Sequence, residues 1–494
     1  MAAKVKIKNL ITKLANFINK YHWRIIIIQV VLCVGILKST SLLKLGFFND
    51  QPGYLLFDFS SLRTILGEYR TFGLPLLLKL YSIIFKGYEH RFYLWPWVQM
   101  FFYFFSVFFL YWAMLKFGFN RILSLIIASH LIWENSVHAN LKFIMTEPWA
   151  ASFLNLTIGC LLLTFRQRSW KTYLALGFST FFLYQIRPNC VFVPILLPFW
   201  AVIISLMFER FNFIKVKNIF ILYAAIALIP LFLFCWLRLF VVGQFGLSAF
   251  GGTTLSMQAT YYLNEDNIKR LSGESRIIAE KILAHKRKFR PLPEPKLSPS
   301  INREQKYLMQ KVSQPSDCMI SWLAAIKYMT GKEPFDDPVK NIDPWNHINT
   351  LATFFTIYNV DIDKLLMKYS KDVLMLEWRQ CLPWIAEKTF FGMGQFIKDI
   401  RSTRRAWIIF LVTMLLIIRP IFFWCNYRAK IKSEIKQWYR QLYLVTILAL
   451  SIFLFGGIFI SIFVSLESRY LELFSLYLFP TITLWAFPPF IVEK

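Results

Sequence analysis

Apolar residues run along this chain in blocks of about 18 to 24, divided by short polar stretches. A block of that length, wound as a helix, crosses the hydrocarbon core of a bilayer. The pattern predicts an all-α polytopic membrane protein with about ten spans, near 25–42, 92–115, 121–134, 147–164, 172–186, 189–207, 218–241, 406–425, 441–464 and 470–489. Between the first two blocks, Leu62 to Tyr69 and Leu74 to Phe85 are amphipathic but shorter than a span, and Gly73 and Pro75 interrupt them. They predict juxtamembrane helices lying along the interface. The long polar stretch 242–405 is the one segment able to form a soluble domain. It carries a proline-rich loop at 290–296 and helical pattern around Tyr307 to Val312, Ile320 to Thr330 and Ile362 to Tyr369. The chain therefore divides into an N-terminal membrane module, 1–241, whose first outer loop is 43–91, a mostly helical extracytoplasmic domain, 242–405, and a C-terminal membrane module, 406–494.

Charge orients this arrangement. The 494 residues carry a formal net charge of +28, and the basic residues gather in short connections between apolar blocks. There they act as cytoplasmic topology signals. No basic stripe interleaved with exposed aromatics lies on a soluble domain, so nucleic acid is excluded as a partner. Residues 1–24 hold Lys4, Lys6, Lys8, Lys13, Lys20 and Arg24 without an acid, and no small-residue cleavage site closes the next span. The N-terminus reads as a retained cytoplasmic anchor, compatible with a bacterial inner membrane. The connections Lys116 to Arg121, Arg166 to Lys171, Glu209 to Lys217 and Arg428 to Arg440 then fall on the cytoplasmic side. Parity sends 43–91, 135–146, 242–405 and the link around Glu467 to Arg469 to the periplasmic or exterior side. Of the seven cysteines, five lie in apolar spans as small buried hydrophobes. Cys318 and Cys381 share the large outer segment, where a disulfide is an open alternative.

The unusual charges collect on the outer side. The carboxylates are Asp50, Asp58, Glu68, Glu134, Glu147 and Glu467, and the cations near the membrane are Arg63, Arg70, Lys142, Arg187 and Arg469. Ionisable groups beside hydrocarbon are costly to keep. A carboxylate base together with guanidinium groups suits displacement at a carbon bearing a phosphate leaving group: the base takes the acceptor proton while arginine neutralises the departing phosphate. Plainer roles stand beside this one. Asp50 precedes a Pro-Gly turn, Asp58 could cap the helix starting near Ser60, and Glu147-Pro148 is a helix-start signature. Arg70 could snorkel to headgroups, Arg187 and Arg469 could pair locally, His138 could be an ordinary interfacial histidine, and Tyr54 and Tyr470 could belong to an aromatic belt. The Gly-rich run 243–255 lacks the ending of a nucleotide loop and reads as a hinge or substrate-covering loop. Asp343 to His347 and Cys381 to Trp384 read as packing of the outer domain, with aromatic platforms for an acceptor as the alternative. No His-Glu-x-x-His pattern or short cysteine spacing points to a dedicated metal site.

Five motifs in order, Asp50-Gln-Pro-Gly-Tyr54 with Arg70-Thr-Phe-Gly-Leu-Pro75, Met145-Thr-Glu147-Pro148, Arg187-Pro188 and Glu467-Ser-Arg469-Tyr470, are spread over nearly the whole chain. In that order and spacing the chain resembles the GT-C superfamily of integral-membrane glycosyltransferases, which take sugars from polyprenyl-phosphate carriers. The resemblance implies transfer on the outer face, probable inversion at the anomeric carbon, Asp50 as catalytic base or acceptor-orienting group, and Arg469 with Arg187 on the lipid phosphate. Asp58 and Glu147 are the rival carboxylates. Tyr54, Arg70, His138, Glu467 and Tyr470 complete the expected substrate contacts. No cofactor is required, although a divalent cation held by Glu147 opposite Asp50 is an alternative. Where protein mannosyltransferases that use dolichyl-phosphate mannose have an adjacent acidic pair, Asp50 here is followed by Gln51. The sugar stays open, as does the acceptor, whether lipid, glycan or protein. A transporter or flippase of a lipid-linked sugar and a noncatalytic scaffold are the competing readings.

Overall fold

The computed structural model describes residues 2–47, 51–85, 92–209, 212–249, 251–289, 320–329, 360–402, 433–463, 473–478, 480–481 and 484. Every regular element among them is helical. The first half runs α1 Ala2–Ser39, α2 Pro52–Leu55, α3 Leu62–Gly67, α4 Gly73–Ile84, α5 Trp95–Phe117, α6 Arg121–Ile132, α7 Asn135–Asn140, α8 Glu147–Gln167, α9 Trp170–Ile186, α10 Phe192–Phe208 and α11 Phe213–Val242. Then follow α12 Gly251–Tyr262, α13 Glu265–Arg270 and α14 Gly273–Phe289, and the helices Val360–Leu376, Trp378–Ser402 and Ser433–Phe463.

Six described helices are long and apolar enough to cross a membrane: Phe17–Ser39, Phe92–Phe117, Glu147–Gln167, Pro188–Phe208, Phe213–Val242 and Gln437–Ser461. They match six of the expected spans. The predicted span 121–134 falls on α6, whose 12 residues rise ~18 Å at 1.5 Å per residue. Gly118, at φ +105°, ends α5, and Asn120 caps α6 by accepting from the Ile122 and Leu123 amides, so the connection between them is abrupt. The predicted span 172–186 is the 17-residue α9. The expected span 406–425 lies outside the described residues, and of 470–489 only 473–478, 480–481 and 484 are described.

α8 is the most enclosed of the six. α5 packs along it in parallel, with the Trp95 ring 5.6 Å from that of Trp149 and Phe102 5.4 Å from Phe153. Gly159 lets the two helices close on each other, since a Cβ there would sit 2.8 Å from the Phe109 ring. α9 returns antiparallel, stacking Phe182 on Phe153 at 5.6 Å. Polar side chains inside the bundle bond to one another: Tyr111 to His22 at 2.7 Å, Thr164 to Tyr223 at 2.6 Å, Trp200 to Ser451 at 2.9 Å and Asn155 to Ser106 at 3.1 Å. Such pairing is what lets polar groups persist in an apolar interior. Cys33, Cys160, Cys190 and Cys235 are buried, as small hydrophobes would be.

A second apolar core joins α12, α13 and α14 to the stretch 320–329 and the helix Val360–Leu376. Of the helical patterns read in the outer stretch, 320–329 and Val360–Leu376 are helices, while 307–312 lies outside the described residues. Of the Gly-rich run, 243–249 is non-helical, while Gly251 and Gly252 open a helix, α12. Gly252 is needed there because any Cβ would collide with the backbone oxygen of Asp363. Trp384 and Cys381 pack against Tyr262, as packing residues of this domain; Cys318 and the Asp343 to His347 motif lie outside the described residues.

Candidate functional site

The first connection between spans is folded onto one end of the bundle. Gly46 donates its amide to the Lys142 carbonyl at 2.7 Å, and the buried Gln51 donates from Nε2 to the Gly46 carbonyl at 3.0 Å. The segment is thereby tied to residues 142–143, just ahead of α8. Asp50 lies outside the described residues, between these two anchors in sequence. Farther along, α4 starts against the end of α9: a Cβ on Gly73 would lie 2.5 Å from the backbone carbon and oxygen of Gln185. No L side chain fits that gap without moving backbone. Gly73→Ala is expected to destabilise the protein by about 1–3 kcal/mol, the usual cost of overpacking, read as a lower midpoint of thermal unfolding in detergent.

At this junction sits a buried ion pair. Pro148 holds the first turn of α8 and leaves Glu147 at its N-terminus, where a carboxylate complements the helix dipole. Pro188 forces the preceding residue out of helical geometry, so Arg187 ends α9 in an extended conformation, φ −133° and ψ 98°. The two side chains meet at 2.7 Å, with Arg187 7% and Glu147 18% exposed. Arg187 also donates to the Thr146 hydroxyl at 3.0 Å, which in turn approaches the Glu147 carboxylate at 3.3 Å. Burial acts to weaken the arginine's proton affinity, but the Glu147 carboxylate outweighs it and keeps the guanidinium firmly charged. Its Nε finds no partner among the described residues, and neither do the amide atoms of the fully buried Gln185 two residues earlier. Buried donors left open are costly, and they stand ready for an acceptor supplied from outside.

Tyr54 closes the site from α2. It is buried, lies within electrostatic reach of Arg187, and carries Arg70 over its ring at 4.8 Å. Arg70 is held in place by a second ring, Tyr69, and by a 3.1 Å bond from its Nε to the Tyr69 hydroxyl. Of the residues expected to share a site, the structure pairs Glu147 with Arg187 and sets Arg70 over Tyr54.

Asp58 sits apart on the surface. The expectation that it caps the following helix is corrected: Ser61 is the cap, in a reciprocal box with Thr64, because its hydroxyl has the right register for the Thr64 amide. Asp58 instead accepts from the Ser60 amide at 2.7 Å and the Ser60 hydroxyl at 2.8 Å. Those bonds hold its pKa below the ordinary carboxylate value. Glu68 approaches from the far side of α3, its carboxylate 3.5 Å from the Asp58 amide, and its pKa is raised by burial. His138 is placed elsewhere: its ring is buried against Phe104, with Nε2 3.7 Å from Cys33 Sγ. Desolvation pushes its pKa down to about 4, so it is a neutral packing group between α1 and α5. Glu467, Arg469 and Tyr470 lie outside the described residues.

One charged group escaped the sequence reading. Arg238, on the last turns of α11, is fully buried and donates to the Leu66 carbonyl at 2.8 Å, the Ser248 carbonyl at 3.2 Å and the Gln244 side chain at 3.1 Å. Gln244 passes its amide hydrogen to Asp363, which also accepts from the Gly252 amide at 2.7 Å and the Thr253 amide at 3.2 Å, capping α12. An arginine inside the apolar run Trp236 to Val241 was the available signal. The network fastens the 251–376 helices to α3, and the Ala249 amide adds a bond to the Glu68 carbonyl at 3.0 Å.

Among the described residues, fold and site together define a helical chain with six helices long and apolar enough to cross a membrane and a buried carboxylate and arginine pair where α8 begins and α9 ends. No protein-family model, curated protein or solved structure matches the chain.

Proposed function

We propose that this protein is a GT-C-type glycosyltransferase of the plasma membrane, moving a sugar from a polyprenyl-phosphate carrier to an acceptor on the extracytoplasmic side. The observation that carries the reading is Arg187: buried, charged, paired with Glu147, and with an Nε that has no partner among the described residues. A permanently charged planar fork at the membrane end of a bundle suits the phosphate of a lipid carrier. Arg70 supplies a second positive charge, over the Tyr54 ring. In the proposed reaction the acceptor hydroxyl loses its proton to Asp50, attacks the anomeric carbon, and polyprenyl phosphate departs with the bonding electron pair to the arginines. Single displacement inverts the anomeric centre. Phosphate needs no general acid, so one carboxylate base suffices. Arg469 is expected to join Arg187 on the phosphate. The outer placement of this end of the bundle is supported by the basic N-terminus and the basic short connections, read as cytoplasmic signals.

The test uses the full chain in native vesicles supplied with a panel of radiolabelled undecaprenyl-phosphate sugars. Transfer of label out of the carrier in wild type, lost by about a hundredfold or more in Asp50→Asn with expression unchanged, is the expected result, in the range attributed to one general base. Undiminished transfer in that variant would remove Asp50 as the base.

A further inference from the structure

A cleft of about 410 Å³ opens in the folded first connection, with Tyr54 in its wall. That volume falls within the range of sites for small ligands. Its lining is unusual for a membrane-facing groove. Tyr54, Phe57 and Phe59 supply ring surface with Pro75, and Asp58 and Lys79 place one negative and one positive charge at the mouth. Phe57 and Phe59 stand 4.8 Å apart, and Lys79 lies over the Phe59 ring at 5.1 Å. Leu56, Leu62, Leu80 and Ile83 are exposed on the flanking helices and turns. The cleft therefore opens where apolar side chains face outward.

The two charges restrict the occupant. A phosphate or carboxylate would meet Asp58, and a cationic headgroup would meet Lys79. A neutral molecule with hydroxyl groups at its edge and C–H bonds on its faces meets neither penalty. Its hydroxyls donate to Asp58 and accept from Lys79, and its flat faces rest on the electron-rich ring surfaces. That description is a carbohydrate ring. From this geometry we infer that the cleft formed by Tyr54, Phe57, Asp58, Phe59, Pro75 and Lys79 binds a saccharide, the acceptor of the transfer reaction. The saccharide assignment stands on the cleft alone; the acceptor role rests on the transferase reading.

Binding is measured without any donor, so the two can fail separately. The full chain in phosphatidylethanolamine and phosphatidylglycerol nanodiscs is photolabelled with octyl glycosides of glucose, galactose, mannose and N-acetylglucosamine carrying a diazirine next to the sugar. The expected result is labelling within 52–60 and 73–79 by at least one glycoside, competed by unlabelled sugar. Asp58→Asn and Phe59→Ala should each weaken it about tenfold, equivalent to ~1.4 kcal/mol of affinity. Lys79→Met, on the opposite wall, provides an independent check with the same expectation. Competition by methyl glycosides identifies a free saccharide as the occupant, and competition that needs the octyl chain identifies a lipid-borne one. Equal labelling by a diazirine-bearing octanol, absence of labelling by every glycoside, or labelling unchanged in all three variants would overturn the saccharide site. Loss of labelling in Arg187→Lys would overturn the acceptor role, because the sugar would then depend on the donor's arginine.

Discussion

Replacing Arg187 with alanine is expected to abolish transfer and to destabilise the protein by about 3–5 kcal/mol, the usual result of removing one partner of a buried ion pair. Glu147 would be left 18% exposed with its cation gone. Thr146 would lose its donor as well. Stability and activity can be separated by the double replacement Arg187→Met with Glu147→Gln, which removes both charges and keeps the volumes close. Most of the lost stability should return, since uncharged isosteres of a buried pair are often neutral or better, whereas transfer should stay absent. Arg187→Lys keeps a positive charge but not the fork that reaches Glu147 and Thr146 together, so it should fold and transfer at least about tenfold more slowly. Thermal unfolding in detergent and label transfer in vesicles are the paired measurements. Normal transfer by the Met/Gln double variant would reduce the pair to a structural clasp and withdraw the phosphate-binding role from Arg187.

Much of this arrangement was legible along the chain, and the part that was not has physical causes. Length and hydropathy locate spans because a bilayer imposes one thickness on every crossing helix. The two motifs Glu147-Pro148 and Arg187-Pro188 read correctly as helix boundaries because proline acts locally, on its own backbone and that of the residue before it. Their meeting across α8 and α9 is a tertiary fact with no local signature. α6 is shorter than its apolar run, which continues into Trp133 while the helix itself stops at Ile132. Asp58 was assigned a cap that Ser61 holds: both are good capping residues, and a shift of three positions lies below the resolution of pattern reading. His138 looked available because interfacial histidines are often exposed, and only packing against Phe104 and Cys33 removes it. Arg238 is the instructive omission. A lone arginine near the end of a span looks like one that snorkels towards water, yet this one turns inward to three acceptors.

That inward turn leads to the second large effect. Asp363→Ala should free the helices 251–376 from the first connection while leaving the spanning bundle folded. The alanine would strand the Gly252 and Thr253 amides at the start of α12 and the Gln244 amide, and it would leave the Arg238 guanidinium buried without the carboxylate that balances it through Gln244. Each buried group left unsatisfied costs about 1–3 kcal/mol. The combined loss of about 3–5 kcal/mol, typical of a broken buried charge network, falls on one face of the outer helices and not on the α5, α8 and α9 core. Limited proteolysis in nanodiscs, followed by mass spectrometry, should show new cleavage around 243–250 and within α12, with fragments containing α5 to α10 still protected. Asp363→Asn retains one acceptor oxygen and should give a smaller change. Transfer should fall along with the docking, because Arg238 reaches through Leu66 to α3, and α3 is joined by Glu68 to Ala249 and by the 58–68 contact to the wall of the saccharide cleft. A cleavage pattern identical to wild type in Asp363→Ala would show that the outer helices are held by apolar packing alone, and the coupling of that domain to the cleft would then have no polar link.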